Sequence, residues 1–333
     1  MKAPSISVVV PVYNSAATLG ELVSRLEQVL STVTHRFELV LVNDGSADGS
    51  WLTLEELTQS HDSVRAINLM RNYGQHNALL CGIRAARYDL VVTLDDDLQN
   101  PPEEIPRLLE KLAEGYDVVY GTPDEPQHEF WRNMASEITK WVLQGTMGAK
   151  VARKVSAFRV FRRPVREAFA SYSAPSVCID VLLTWGTCRF AAIPVRHEAR
   201  RMGASGYSFR RLVGHALTMM TGFSTLPLQL ASAMGFLFTL FGFAILLFVL
   251  ARYWIHGGSV PGFPFLASII VIFAGAQLFA LGIMGEYLAR MHFRMMDRPS
   301  YAVQQVVGEE FQVAANSVAL ARDAEAPLRT GSI

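Results

Sequence analysis

The chain has 333 residues, half of them apolar, and its 30 basic side chains balance 30 acidic ones to a formal net charge of zero. That length accommodates one α/β domain plus further elements, and the neutral balance excludes a chain-wide electrostatic footprint for nucleic acid. The three cysteines, Cys81, Cys178 and Cys188, show no CxxC or Cys/His metal spacing, so they read as buried small apolar residues in a reducing compartment rather than a disulfide framework.

The first residues carry no apolar stretch followed by a small-residue cleavage site, so the N-terminal part is expected to stay in the cytoplasm. From residue 6 to about 120, short β-branched runs (6–10, 39–42, 64–69, 90–94, 118–120) alternate with amphipathic stretches such as 19–30 and 103–114. This βαβ rhythm predicts an α/β fold with a mostly parallel sheet. Ligands of such sheets bind beyond the carboxyl ends of the strands, which singles out residues 11–14, 43–46, 71–77 and 95–99.

Asp44, in VNDGS, stands in one of these turns, where Gly45 permits tight backbone geometry and the carboxylate can accept hydrogen bonds from a base or ribose. RNYGQHNA, residues 71–78, sets one cation beside amide donors, a composition that suits a diphosphate or ribose and equally an ordinary polar loop. The strongest chemical signal is LDDDLQNPPEE at residues 94–104, three consecutive carboxylates directly after a strand with an amide two residues on. Crowded like charges favour a cation, and hard ions such as Mg²⁺ or Mn²⁺ take oxygen ligands shared between carboxylates and substrate phosphates. In an extended segment residues two apart share a side, so Asp95, Asp97 and Gln99 are expected to converge while Asp96 points away. The plainer alternative is a solvated turn.

Toward the C-terminus, residues 226–251 and 263–285 form two apolar runs, each longer than the ~20 residues that cross a bilayer as a helix. Arg196, Arg200, Arg201, Arg210 and Arg211 precede them, and Arg290, Arg294 and Arg298 follow; the linker holds Arg252 and His256. The positive-inside rule places both flanks in the cytoplasm. Spans without internal ionisable residues offer no transport pathway. Residues 209–224 read as an interfacial amphipathic helix or as simple core packing, and the polar tail from Gly308 is expected to be disordered. The expected organisation is a catalytic domain at 1–208, an interfacial helix at 209–225, a transmembrane hairpin at 226–288 and a cytoplasmic segment at 289–333. His35, His61, His128 and His197 read as surface or loop residues; His76 is left open between the donor site and an ordinary loop.

VVVPVYN, VNDGS, RNYGQHNA and LDDDLQNPPEEIPRL, in that order, resemble the family 2 glycosyltransferases of GT-A fold, and more narrowly their polyprenyl-phosphate branch. The resemblance runs over about residues 6–306 and includes GASGYSF, GEYLAR and RPSYAVQQV. It implies a Rossmann-like sheet with flanking helices and two C-terminal transmembrane helices. The implied reaction is inverting transfer of a sugar from a nucleotide-sugar donor, most commonly UDP-linked, to polyprenyl (undecaprenyl) phosphate, with Mg²⁺ or Mn²⁺. The setting is the cytoplasmic face of a bacterial inner membrane, in cell-envelope glycan or lipid A modification, with both termini cytoplasmic and no nucleic-acid partner.

The resemblance also assigns roles. Pro11, Tyr13 and Asn14 line the nucleotide pocket, with Arg71, Gln75 and Asp96 in the same donor-side set, and Asp44 meets the base or ribose. Asp95 stands near the ribose and metal, Asp97 is the principal metal ligand and Gln99 assists. Arg159, in SAFRVFRR, and Arg200, in RRMGASGYS, match basic positions near the acceptor phosphate, with Ser205 and Tyr207 on the same loop. The chain departs from the pattern at Ser15, where many relatives carry Glu, at Gly206, where Lys is common and Arg201 or Arg210 must substitute, and in the aromatic pattern before Asp180.

A phosphate monoester, with a second pKa of about 6, is already ionised near neutrality and needs no base; cations such as Arg159, Arg200 and Arg201 serve it better. Asp180, in SVCIDVLLTWG, is the candidate base if the acceptor is a hydroxyl, and otherwise a helix-face or capping carboxylate. The rival readings are a hydroxyl-acceptor transferase and a catalytically silent membrane scaffold. The alternating segment 298–306 is expected to add a strand to a neighbouring subunit, favouring a homo-oligomer such as a tetramer.

Overall fold

The computed structural model describes residues 4–123, 155–174, 177–198, 226–256, 262–296 and 298–308. They belong to two compact units, one built from Met1–His128, Leu143–Ser205 and Pro299–Ile333, the other from Glu129–Val142 and Gly206–Arg298. The expected interfacial helix at 209–224, Arg200 with the basic loop that follows it, and the tail beyond Gly308 lie outside the described residues.

The first unit contains an eight-stranded sheet made of β1 (Ile6–Val12), β2 (Phe37–Asn43), β3 (Val64–Leu69), β4 (Leu90–Thr93), β5 (Val118–Pro123), β6 (Arg159–Arg162), β7 (Phe190–Val195) and β8 (Val303–Val307). Their order across the sheet is β7-β5-β6-β4-β1-β2-β3-β8. Strands β1 to β4 are mutually parallel, β5 is parallel to β7, and β6 and β8 run antiparallel to their neighbours. The parallel expectation therefore holds for the four strands that carry the motifs. These strands are continuous apolar runs because both faces are covered. On one face α1 (Ala16–Val33), α2 (Ser50–Ser60) and α4 (Ile105–Ala113) pack on Ile6, Val8, Val10, Leu39 and Leu41. In α1 the buried set Leu19, Leu22, Val23, Leu26 and Leu30 recurs at helical spacing, each side chain contributing about 1.5–3 kcal/mol of burial.

The opposite face is covered by α3 (Gln75–Ala85). A side chain at Gly82 would collide with Val9 and Val42, so glycine sets this close helix-sheet approach. Two shorter helices, α5 (Arg163–Glu167) and α6 (Ile179–Gly186), follow β6. Cys81 and Cys178 are buried as expected, whereas Cys188 is exposed between α6 and β7.

Two expectations about strands change. Strand β1 runs on through Pro11, which is buried inside it rather than lining an open rim. The β1–β4 ladder ends at Val9↔Thr93, so the missing N–H of Pro11 is not called on from that side. Segment 298–306 does form a strand, but β8 pairs with β3 of its own chain, Ala66↔Val307 through Leu69↔Val303. Its hydrogen-bonding capacity toward β3 is used internally, and its other edge forms the end of the sheet. Just before it, the Ser300 hydroxyl donates to the Ala174 carbonyl at 2.8 Å, the Tyr301 ring lies 5.8 Å from the Arg84 guanidinium, and the Met70 N–H donates to the Ala302 carbonyl at 2.9 Å.

The second unit contains α7 (Leu226–His256) and α8 (Phe263–Met295). Their apolar windows, Leu228–Ile245 and Ile272–Ala289, are long enough to cross a membrane and almost none of either is buried inside the protein, unlike the core helix of a soluble domain. The Phe238 and Phe273 rings meet edge-on at 5.5 Å, and Phe273 lies over Gly242. Glu286 follows directly on the run 263–285 and falls within the second window.

Candidate active site

The carboxyl ends of β1 to β4 bring all four singled-out turns together. Tyr13, directly after β1, is 52% exposed, and its N–H donates to Asp96 Oδ2 at 3.0 Å. Asn14 adopts φ 55°, a left-handed conformation that asparagine tolerates. Its N–H donates to the Ser46 hydroxyl at 3.0 Å and its Oδ1 accepts the Ala47 N–H at 2.8 Å, joining the turns after β1 and β2. The Ser15 hydroxyl, at the first departure from the family pattern, lies 3.1 Å from the Tyr13 carbonyl and also bonds Asp96.

Asp44 is buried, with Oδ1 accepting the Tyr73 N–H at 2.7 Å and Oδ2 the Gly74 N–H at 2.8 Å. Its two oxygens thus shape the RNYG loop, each accepting one of the two bonds of which it is capable. Burial pushes its pKa up, and the two N–H donors hold part of that rise back. Gly45 beside it sits at φ 65°, where a Cβ would stand 2.5 Å from the Asn72 nitrogen, so the loop packs directly on glycine backbone. The loop presents an exposed Arg71, whose guanidinium lies 4.6 Å from the Tyr73 ring centre, and at the start of α3 the Gln75 amide donates to Asp95 Oδ1 at 2.5 Å.

The acidic segment is a turn rather than an extended strand end, so alternation does not govern it. Leu98 takes φ 60° while its side chain is 2% exposed. A non-glycine residue pays about 1–2 kcal/mol for that conformation, and burial of its side chain in the core holds it there. The three carboxylates part company: Asp95 faces Gln75, Asp96 faces the end of β1, and Asp97 Oδ1 accepts the Gln99 N–H at 3.1 Å. Burial, helped by the charge of Asp97, raises the pKa of Asp96, while Ser15 and the Tyr13 amide oppose the rise. Asp95, Asp97 and Gln99 remain an oxygen-only set at the strand ends, the donor chemistry that fits a hard divalent cation completing its shell with phosphate and water.

Arg159 and Asp180 come together, but as partners of each other. Arg159, on β6, is 1% exposed; its Nη1 donates to Asp180 Oδ1 and its Nε to the Thr93 hydroxyl at 2.9 Å. The Tyr120 hydroxyl also donates to Asp180 Oδ1, at 3.1 Å. The fork expected to meet a phosphate and the carboxylate expected as a base are therefore both engaged inside the fold. Burial opposes the Arg159 charge most strongly of any single influence, yet Asp180, Tyr120 and Cys178 together outweigh it and keep the pKa above the ordinary value. Burial likewise carries the Tyr120 hydroxyl well above its usual range.

His76, Cys178 and Asp180 place ligand atoms within 4.8 Å of one another, a grouping that sequence spacing does not reveal. It lacks the character of a metal centre, because burial pushes the Cys178 thiol up to about 12 and Arg159 already neutralises Asp180. The His76 Nδ1 accepts the Ile179 N–H at 3.4 Å, tying α3 to α6.

Sequence reasoning passed over the ion pairs of Glu103, Glu104, Arg25 and Arg196 around this turn. The PPEE that contains the two glutamates was the available signal. Arg200, Arg201, Ser205, Tyr207 and Arg210 lie outside the described residues. Two residues before Arg200, the Glu198 N–H donates to the Gln99 carbonyl at 2.8 Å.

Comparison with known proteins places residues 7–169 in a match to Glycosyl transferase family 2. An undecaprenyl-phosphate 4-deoxy-4-formamido-L-arabinose transferase from Klebsiella pneumoniae (strain 342) is 38% identical over 305 residues, 91% of this chain and 93% of that protein. Its counterpart from a second Klebsiella pneumoniae strain is similar to the same degree, at 38% identity. Among solved structures, glucosyl-3-phosphoglycerate synthase from Mycobacterium tuberculosis, in complex with Mn²⁺, UDP and phosphoglyceric acid, is 19% identical, aligned over 66% of this chain and 76% of that one with a TM-score of 0.49.

Proposed function

The chain belongs to glycosyl transferase family 2, and from that membership we propose that it transfers a sugar from a UDP-linked donor to undecaprenyl phosphate, with inversion at the anomeric carbon. The observation that favours this reading over a hydroxyl acceptor is the engagement of Asp180 Oδ1 by Arg159 and Tyr120, which employs the carboxylate as the countercharge of a buried arginine where a hydroxyl acceptor would need a base. A carrier phosphate brings its own ionised oxygen.

That oxygen forms the new bond to the anomeric carbon as the bond to the nucleoside diphosphate breaks, and the displaced diphosphate keeps the electron pair. Tyr13 offers an exposed ring to the base, while Arg71 and the N-terminus of α3 offer positive charge to the diphosphate. Asp97, Asp95 and Gln99 would hold Mg²⁺ or Mn²⁺, which when bound neutralises charge on the leaving group. Arg200 and Arg201 are assigned to the acceptor phosphate. The proposed organisation keeps the catalytic domain (1–208), interfacial helix (209–225) and C-terminal segment (289–333) on the cytoplasmic side of a hairpin at 226–288, in an envelope-glycan or lipid A modification role.

The test is transfer from a panel of radiolabelled UDP-sugars to undecaprenyl phosphate by the purified full chain in detergent with Mg²⁺ or Mn²⁺. Wild-type protein is expected to label the lipid, chelation to stop it, and Asp97→Asn to lower the rate by about 10²–10³-fold, the loss typical of removing one electrostatic stabiliser. Labelling that survives both chelation and Asp97→Asn contradicts the proposed metal role, and labelling of a hydroxyl acceptor alone contradicts the proposed acceptor.

A further inference from the structure

Residues 196–198, which continue from β7, are fastened to the acidic turn at three points. The Arg196 Nε donates to Glu104 Oε1 at 2.7 Å, the Glu198 N–H donates to the Gln99 carbonyl at 2.8 Å, and Glu198 Oε1 lies 3.5 Å from Arg25 Nη2. Arg25 in turn grips Glu103 through two bonds of 2.9 and 2.7 Å. The two glutamates of PPEE thus work in parallel: Glu103 acts through α1, and Glu104, whose side chain is 4% exposed, acts directly. Pro101 and Pro102 separate them from Asn100 with fixed φ angles, so the position of the glutamates passes stiffly into the turn that holds Asp97 and Gln99. Gln99 is the meeting point, its N–H bonded to Asp97 and its carbonyl to Glu198.

We propose that Glu104 and Arg196 are positioning residues, a clasp that holds the segment after β7 against the acidic turn and so fixes Gln99, whose N–H orients Asp97. This inference rests on the proposed assignment of Asp97 and Gln99 to the metal side of the transfer reaction. A burial-only role explains Glu104 poorly, because its partners Arg196 and Arg107 keep side chains 70% and 50% exposed and add little to the core, and of the two only Arg196 comes from outside the helix that follows the turn. What the pair does fix is the stretch up to Glu198, whose N–H bonds the Gln99 carbonyl in the metal-side turn.

The experiment compares wild type, Arg196→Gln and Arg196→Lys in steady-state transfer to undecaprenyl phosphate, with hydrogen exchange at the Glu198 amide and a thermal midpoint for each. Arg196→Gln is expected to lower kcat about tenfold, since misplacement by roughly 1 Å can cost about a hundredfold. The KM for the nucleotide sugar and the midpoint should stay near wild type, the Glu198 amide should lose protection, and Arg196→Lys, which keeps the charge, should recover most of the rate. Wild-type kcat and unchanged Glu198 exchange in Arg196→Gln would overturn the clasp. So would a loss of rate that only tracks a fallen midpoint. If wild type labels no carrier phosphate while Glu198 protection still depends on Arg196, the clasp stands and the acceptor reading falls.

Discussion

Replacing Asp180 with Asn separates a carboxylate that holds Arg159 from one that removes a proton. The Arg159 side chain is 1% exposed and that of Asp180 is 11% exposed, so solvent can do little to replace the lost countercharge. Removing one partner of a buried ion pair costs about 3–5 kcal/mol, because the other charge stays buried without compensation. With each kcal/mol shifting the midpoint of a domain of ~150–250 residues by about 2–4 °C, the fall should be about 6–20 °C. The double variant Arg159→Met with Asp180→Leu removes both charges and should recover most of that stability. It should remain impaired in transfer, since the bond from Arg159 to Thr93, at the foot of the acidic turn, is gone. Thermal unfolding in detergent followed by tryptophan fluorescence, alongside the transfer assay, measures both effects. A wild-type midpoint in Asp180→Asn combined with a loss of transfer beyond about a thousandfold would refute the reasoning and make the carboxylate a base acting on a hydroxyl.

Gly45→Ala should weaken donor binding, because its Cβ would stand 2.5 Å from Asn72 N and 2.6 Å from the Arg71 carbonyl carbon and must displace the loop. A rise in the Kd for UDP with Mn²⁺ of about tenfold, or ~1.4 kcal/mol, is expected by calorimetry, and an unchanged Kd would contradict the packing argument. Asp117 tests pH dependence at the other end of the sheet, where the Arg189 fork at 2.9 and 2.8 Å and the Thr187 hydroxyl at 2.6 Å hold its carboxyl below the ordinary range. Because the folded pKa is the lower one, its contribution is present above the unfolded value of about 3.9 and is lost as pH falls through the folded value. Urea midpoints should drop below about pH 4 in wild type and drop less in Asp117→Asn; parallel curves would exclude Asp117 as a source of acid sensitivity.

Strands β1 to β5 were legible because buried parallel strands are β-branched runs, and the long apolar helices because of their length and lack of charge. Strand β6 was hidden by its own arginines, since RVFR looks like a surface basic stretch until Asp180 and Thr93 are seen to receive Arg159. At the site, residue types were readable and partners were not. The pairs Arg159–Asp180 and Arg196–Glu104 join residues 21 and 92 positions apart, a separation no local pattern encodes. At Asp95 to Asp97 the residue types were legible but not the turn: the strand ends at Thr93 and Asp96 and Asp97 already lie in a turn, so two-residue alternation stops before them.

The place of β8 has a consequence for biosynthesis. The strand that covers the outer edge of β3 is encoded after both apolar helices, so a ribosome must complete residues 226–295 before the sheet can receive its last strand. Until then the β3 edge, Ala66 to Leu69, stands bare, and bare edges recruit other chains. A chain that stalls or is cleaved within the helices keeps the β3 edge bare, whereas a chain that has passed both helices can cover it with β8. Completion of the sheet is thereby tied to completion of the two apolar helices.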